Sequence, residues 1–179
     1  MDMQRMRTTF KVSDFVTGLS QLVNLRKLSL NKFGGCPITS SHFEKIFEQL
    51  TELTHVEVND IPDTEIVMDS AIATLVRTNP GLRTLKLQQM MMTDESLTSL
   101  SRLLHLAHVT PDTLLPEFSM DAILTFVRGG SRDTLGQFCL RHYGQTDFSK
   151  ISKEMLRDRR GREFTRTFTG SWMTFRSEQ

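Results

Sequence analysis

One spacing of apolar residues recurs along this chain, and it constrains the fold more than any other feature. In "NLRKLSLNKF" the apolar side chains are Leu25, Leu28 and Leu30, with polar residues in the gaps. The same L-x-x-L-x-L pattern returns at Leu53, Val56 and Val58, at Leu82, Leu85 and Leu87, and at Leu135, Phe138 and Leu140. Leu25 to Leu53 is 28 residues, Leu53 to Leu82 is 29, and Leu82 to Leu135 is 53. The last interval is two repeat lengths, so a degenerate copy is expected inside it. "LHLAHV", with Leu104, Ala107 and Val109, fills that place imperfectly, and "EFTRTFTG" offers a weak further copy through Phe164 and Phe168. Apolar alternation over a few residues reads as a short, half-buried strand. Return at a period between 20 and 50 residues reads as one supersecondary unit stacked on copies of itself.

The intervening segments carry helical periodicity. "TSSHFEKIFEQL" places Phe43, Ile46, Phe47 and Leu50 on one face, with Ser40 or Ser41 as the expected N-cap and Glu44 in the first turn. "MDSAIATLVRTNPGL" places Met68, Ile72, Leu75 and Val76 together, and its "NPG" is a helix stop. "TDESLTSLSRLL" aligns Leu97, Leu100 and Leu104, with Thr93 or Asp94 as cap. "SMDAILTFVRGG" offers Ile123, Phe126 and Val127. "DFSKISKEMLRDRRG" offers Phe148, Ile151, Met155 and Leu156. Ahead of the first strand, "SDFVTGLSQL" offers Phe15, Leu19 and Leu22. The chain therefore reads as alternating helices and short strands, an α/β architecture in which no unit buries its apolar face alone.

"LRKLSLNKF…ITSSHFEKIFEQL" resembles the leucine-rich repeat, in the longer variety of the ribonuclease-inhibitor-like horseshoes and of the repeats that follow F-boxes in ubiquitin-ligase substrate receptors. The resemblance covers roughly residues 13 to 168. It implies a solenoid of about five to six repeats, with short parallel strands on the concave side and helices on the convex side. Residues 1–179 then form one domain, with the clearest repeats in 13–100 and degenerate repeats in 101–170. The chain departs from the pattern after each strand. Phe33, Ile61 and Met90 stand near the slot where the family prefers Asn or Cys, while Asn31, Asn59 and Gln88 lie earlier, so the asparagine ladder is shifted or degraded. The first 24 residues are too few for an F-box, and "FTGSWMTFRSEQ" is no obvious polar cap; both point to a piece of a longer array.

Side chains alternate across a strand, so core-facing Leu28 and Leu30 send Lys27, Ser29 and Asn31 to the open face. The equivalents are His55, Glu57 and Asn59, then Thr84, Lys86 and Gln88, then Leu106, His108 and Thr110, then Gln137, Cys139 and Arg141. Of these, Lys27, Ser29, Asn31, His55, Glu57, Asn59, Thr84, Lys86, Gln88, Gln137 and Arg141 are the candidate protein-binding residues.

Other chemistries find less support. The 179 residues are 38% hydrophobic and 24% charged, with 22 basic against 21 acidic side chains and a net charge of +1. That balance gives no global attraction to nucleic acid or membrane. No apolar run approaches the ~20 residues of a membrane-spanning helix, and the start lacks a signal-peptide core. Two cysteines, Cys36 and Cys139, are too few for a disulfide framework and fit a reducing compartment, cytoplasmic or nuclear. His105 and His108 form an H-x-x-H pair without further zinc ligands. Cys139 lies close to His142 with no thiol-enzyme signature around it, and neither Gly-Gly pair continues into a phosphate loop. "MMM" at Met90 to Met92 reads as gap-filling core. The run "LRDRRGR" reads as a solvated helix end, with nucleic-acid binding through Arg157 to Arg162 as the alternative.

The expectation is a non-enzymatic protein–protein interaction module without cofactor or metal. By resemblance, it would be the substrate-recognition part of a ubiquitin-ligase receptor. A nucleic-acid-associated factor is the alternative, and a small hydrolase-like enzyme ranks below both.

Overall fold

The computed structural model describes residues 11–31, 38–59, 67–88, 90–112, 118–129, 137–141, 164–169 and 172–177. Five strands, β1 (Lys27–Asn31), β2 (His55–Asn59), β3 (Thr84–Gln88), β4 (His108–Asp112) and β5 (Gln137–Arg141), lie side by side in chain order and run parallel. A parallel neighbour requires a crossover. Helices supply it: α2 (Ser40–Gln49), α3 (Asp69–Thr78), α4 (Asp94–Leu100) and α5 (Met120–Gly129) fall between successive strands, and α1 (Val12–Ser20) precedes β1. Each helix packs on the next, α1 on α2 through to α4 on α5. Two more strands, β6 (Phe164–Thr169) and β7 (Trp172–Ser177), form an antiparallel pair, and β7 lies antiparallel against β5. The protein is thus α/β, with a mostly parallel sheet of order β1-β2-β3-β4-β5-β7-β6.

The repeated spacing becomes rows across the sheet. Leu28, Val56, Leu85, Val109 and Phe138 are successive register partners, and so are Leu30, Val58, Leu87 and Pro111. The first row is buried throughout and meets the inner faces of the helices, where Phe43, Ile46, Phe47, Ile72, Leu75, Leu97, Leu100, Ile123, Phe126 and Val127 are buried in the same core. Full burial of such side chains contributes about 1.5–3 kcal/mol each, so the rows dominate cohesion. Met68, Met90 and Met92 are core, whereas Met91, also expected there, is half-buried.

Polar groups repeat with the same period. Ahead of each strand a backbone N–H donates to the preceding unit: Thr54 to Arg26 O at 2.8 Å, Arg83 to Thr54 O at 2.8 Å, Ala107 to Arg83 O at 2.7 Å and Gln137 to Ala107 O at 3.0 Å. A second ladder joins helix starts. Asp69, first residue of α3, accepts from the backbone N–H of Thr93 at 3.0 Å, from its hydroxyl at 2.8 Å, and from the Ser96 hydroxyl. Asp94, first residue of α4, accepts from the Ser119 N–H at 2.9 Å. Thr93 and Ser119 in turn cap their own helices, their hydroxyls accepting from Glu95 N and Ala122 N. Helix-start donors that would lack partners are therefore shared between neighbouring units.

The structure corrects several expectations. The fourth copy is Leu106, Val109 and Pro111, because Val109 pairs with Leu85 and Pro111 with Leu87. Leu106 is consequently 1% exposed and core, not open-face, while Leu104 is 69% exposed: α4 ends at Leu100, and the turn after it breaks the helical phase. In α1 the buried face is Val12 and Val16, with Phe15 and Leu19 packed at its margin and Leu22 beyond the helix end and half exposed. Thr39 caps α2 instead of Ser40 or Ser41: its side chain accepts from the His42 N–H, and its own N–H donates to His42 Nδ1 at 3.1 Å.

The largest correction is at the C-terminal side. "EFTRTFTG" is no further parallel unit. Its residues Phe164–Thr169 are β6, the outer strand of an antiparallel pair, and "WMTFRS" is the strand that covers the edge of β5. Phe175 is fully buried, its ring 5.8 Å from that of Phe138, which lies 4.7 Å from Phe126. The expected sixth copy is thus replaced by a pair that closes the parallel array. Cys36, Leu135, His142 and the helix expected over Phe148 to Leu156 lie outside the described residues.

Candidate binding face

The strands present their alternate side chains away from the core, and register sorts these into three rows. The first runs through Lys27, His55, Thr84, His108 and Gln137. The second contains Ser29, Glu57, Lys86 and Thr110. The third contains the partners Asn31 and Asn59, and Gln88 beside Asp112. Lys27, Ser29, Asn31, Lys86 and His108 are exposed; His55, Glu57, Asn59, Thr84, Gln88, Thr110 and Gln137 are half-buried. Of the residues expected on this face, Leu106 belongs to the core and Cys139 is buried. Arg141 lies on β5.

Each row has its own electrostatic character. In the first, Thr54 organises His55. The Thr54 hydroxyl donates to Arg26 O at 3.0 Å and lies 2.9 Å from His55 Nδ1. A hydroxyl has one proton, so it accepts from a protonated Nδ1, and the neutral ring keeps Nε2 as an acceptor. Burial, and then the charges of Lys27 and Arg83 with His108 beside them, hold the His55 pKa below its ordinary value of 6.5. In the second row Glu57 and Lys86 are direct register partners, so their charges offset one another. The third row is held by amides: Asn59 Nδ2 donates to Asn31 Oδ1 and to Glu57 Oε1, both at 2.8 Å, and Asn31 Nδ2 donates to Ser29 Oγ at 3.1 Å. Asn59 Oδ1 is buried and has no hydrogen-bond partner among the described residues. The shifted asparagines are thus a working cross-strand link, visible in the sequence as two Asn one period apart.

Cys139 is 8% exposed. Its sulfur accepts from Gln137 Nε2 at 3.0 Å and lies 3.5 Å from Thr174 Oγ1 across β7. Among the described residues no three His, Cys, Asp or Glu side chains group to hold a metal, and His105 and His108 are both exposed. The Arg157–Arg162 run lies outside the described residues. Among the described helices none is long and apolar enough to cross a membrane.

Comparison with known proteins returns no assignment. No protein-family model matches the chain, and no curated protein matches it.

One structural residue had no signal beyond its place in a helix stop. Asn79 is 1% exposed, and its Oδ1 accepts from the Leu53 N–H at 2.7 Å while its Nδ2 donates to Thr78 Oγ1 at 2.9 Å. The α3 terminus is thereby tied to the chain entering β2. Sequence periodicity does not report such long-range polar pairing.

Proposed function

We propose that this chain is a leucine-rich-repeat solenoid acting as a non-enzymatic protein–protein interaction module, with the open sheet face as its binding surface. One observation carries the reading. Five parallel strands in chain order place polar side chains in aligned rows on the face opposite the helices. A rigid, regular display of this kind suits recognition of a protein surface, since stacking of units leaves an extended face available. The resemblance to F-box-associated repeats makes substrate recognition for a ubiquitin ligase the family-level form of the proposal, by analogy of fold and not from a site.

The test is capture of partner proteins by the immobilised chain, identified by mass spectrometry. Glu57→Lys and Lys86→Glu each reverse a charge on the open face, and Lys45→Glu reverses one on exposed α2. Partners should be lost with the first two and retained with the third, while circular dichroism stays unchanged. Equal capture by all three variants would remove the open face as the binding surface.

A further inference from the structure

The first row of the open face gathers basic side chains that carry no ion pair among the described residues. Lys27, His55 and His108 are carried on β1, β2 and β4 at successive register positions interrupted only by Thr84, and exposed Arg83 immediately precedes β3. Two other cations are paired: Arg26 lies 3.6 Å from Glu52 and Arg77 lies 4.0 Å from Glu48. Among the described residues, neither Lys27 nor Arg83 makes an ion pair. Glu57, a carboxylate on the face, is two residues beyond His55. It is drawn by Asn59 toward the third row and lies in register with Lys86. The face therefore grades from basic at the strand beginnings, through a balanced row, to a row of amides with one carboxylate, Asp112, at β4.

We propose that this row, Lys27, His55, His108 and Arg83, is the docking strip for an acidic, extended segment of a protein partner. This rests on the protein-binding reading above and names the partner's chemistry. Geometry supports the extended form. Strands lie ~4.8 Å apart, so the four steps from Lys27 to Gln137 cover roughly 19 Å, the reach of about six residues of extended chain. Charge complementarity supplies the choice of occupant. Lys27 and Arg83 offer donors along the strip, neutral His55 offers its Nε2 as an acceptor, and Thr84 and Gln137 add neutral polar groups that accept or donate. A segment with carboxylates on alternate residues meets cations on one side while leaving its intervening side chains to solvent. A cationic strip beside a neutral one also fixes orientation, since charge on the far side of the segment gains nothing.

The experiment measures binding of a fluorescein-labelled octaglutamate peptide to the whole chain by fluorescence anisotropy at low salt. Lys27→Glu/Arg83→Glu is the test variant and Lys45→Glu the control. Both altered positions of the test variant are exposed, so circular dichroism should match the parent. Expected results are saturable binding by the parent and the control, and a loss of roughly tenfold or more in the test variant, as removal and reversal of two surface charge contacts implies. Binding should also vanish near 1 M salt, where the screening length falls to about 3 Å. No binding by the parent overturns the proposal. So does equal binding by the test variant. Tighter binding of a single-stranded oligonucleotide, lost in the same variant, overturns it in favour of nucleic acid. A protein partner captured through Glu57 and Lys86 but indifferent to Lys27 and Arg83 overturns the acidic-segment proposal and leaves the protein-binding reading standing.

Discussion

Replacing Asn79 by alanine tests the polar tie between successive units. Asn79 is 1% exposed, and its Oδ1 is the acceptor for the Leu53 N–H at 2.7 Å. Leu53 is itself 1% exposed, so truncation leaves a peptide donor away from bulk water with nothing to bind. A buried donor stripped of its partner costs about 1–3 kcal/mol. The bond from Nδ2 to Thr78 Oγ1 is lost as well, but the Thr78 hydroxyl keeps its acceptors, Phe47 O and Thr74 O, both at 2.9 Å. The expected loss is therefore set by Leu53. At this chain length each kcal/mol moves the melting temperature by roughly 2–4 °C, giving a fall of about 2–12 °C. Urea unfolding and thermal melting followed by circular dichroism measure both quantities. Exposed Asn24→Ala is the control and should stay within about 0.5 kcal/mol of the parent. A loss for Asn79→Ala no larger than that control would show that the Leu53 N–H finds another partner, and the inter-unit tie would have to be abandoned.

Three more predictions follow from the core and the open face. Leu106→Ala should cost about 2–5 kcal/mol as a buried truncation, whereas Leu104→Ala should stay within about 0.5 kcal/mol; the reverse order in urea unfolding would restore the rejected frame of the fourth copy. Phe175→Ala should cost about 3–5 kcal/mol and reduce amide hydrogen-exchange protection across Gln137–Arg141, because Phe175 packs on Phe138 from the strand that covers β5; unchanged protection there would mean β7 contributes nothing to holding that edge. The folded state lowers the His55 pKa, through burial and the charges of Lys27 and Arg83. The unfolded chain therefore takes up that proton at higher pH, and stability is lost as pH falls from about 6.5 to the folded value. His55→Gln should flatten that part of the stability–pH curve, and an identical curve for parent and variant would contradict the lowered pKa.

Much of this architecture was legible because it is periodic. Strand positions repeat at 28 and 29 residues, and each copy alternates core and open-face residues, so Leu28, Val56 and Leu85 could be assigned inward and Lys27, His55 and Thr84 outward by alternation alone. The fourth unit was harder. Its interval from Leu82 to Leu106 is only 24 residues, and Pro111 stands where the other copies carry an aliphatic side chain. Two frames two residues apart both placed Val109 inward, and pairing with Leu85 decided between them. The binding face was legible as a list of residues but not as rows with distinct charge.

Hydrophobic alternation and helical spacing are local properties, and they determined by themselves that this chain alternates short strands with amphipathic helices and which faces turn inward. Tertiary structure decided what depends on which segments meet. It set the β5–β7–β6 closure, because an amphipathic strand pairs equally well in either direction until its neighbour's exposed edge selects one. It also set the Asn79–Leu53 tie, the Asp69–Thr93 and Asp94–Ser119 links, and the cationic row. In each, the interacting groups are about one unit apart along the chain, where no local pattern couples them.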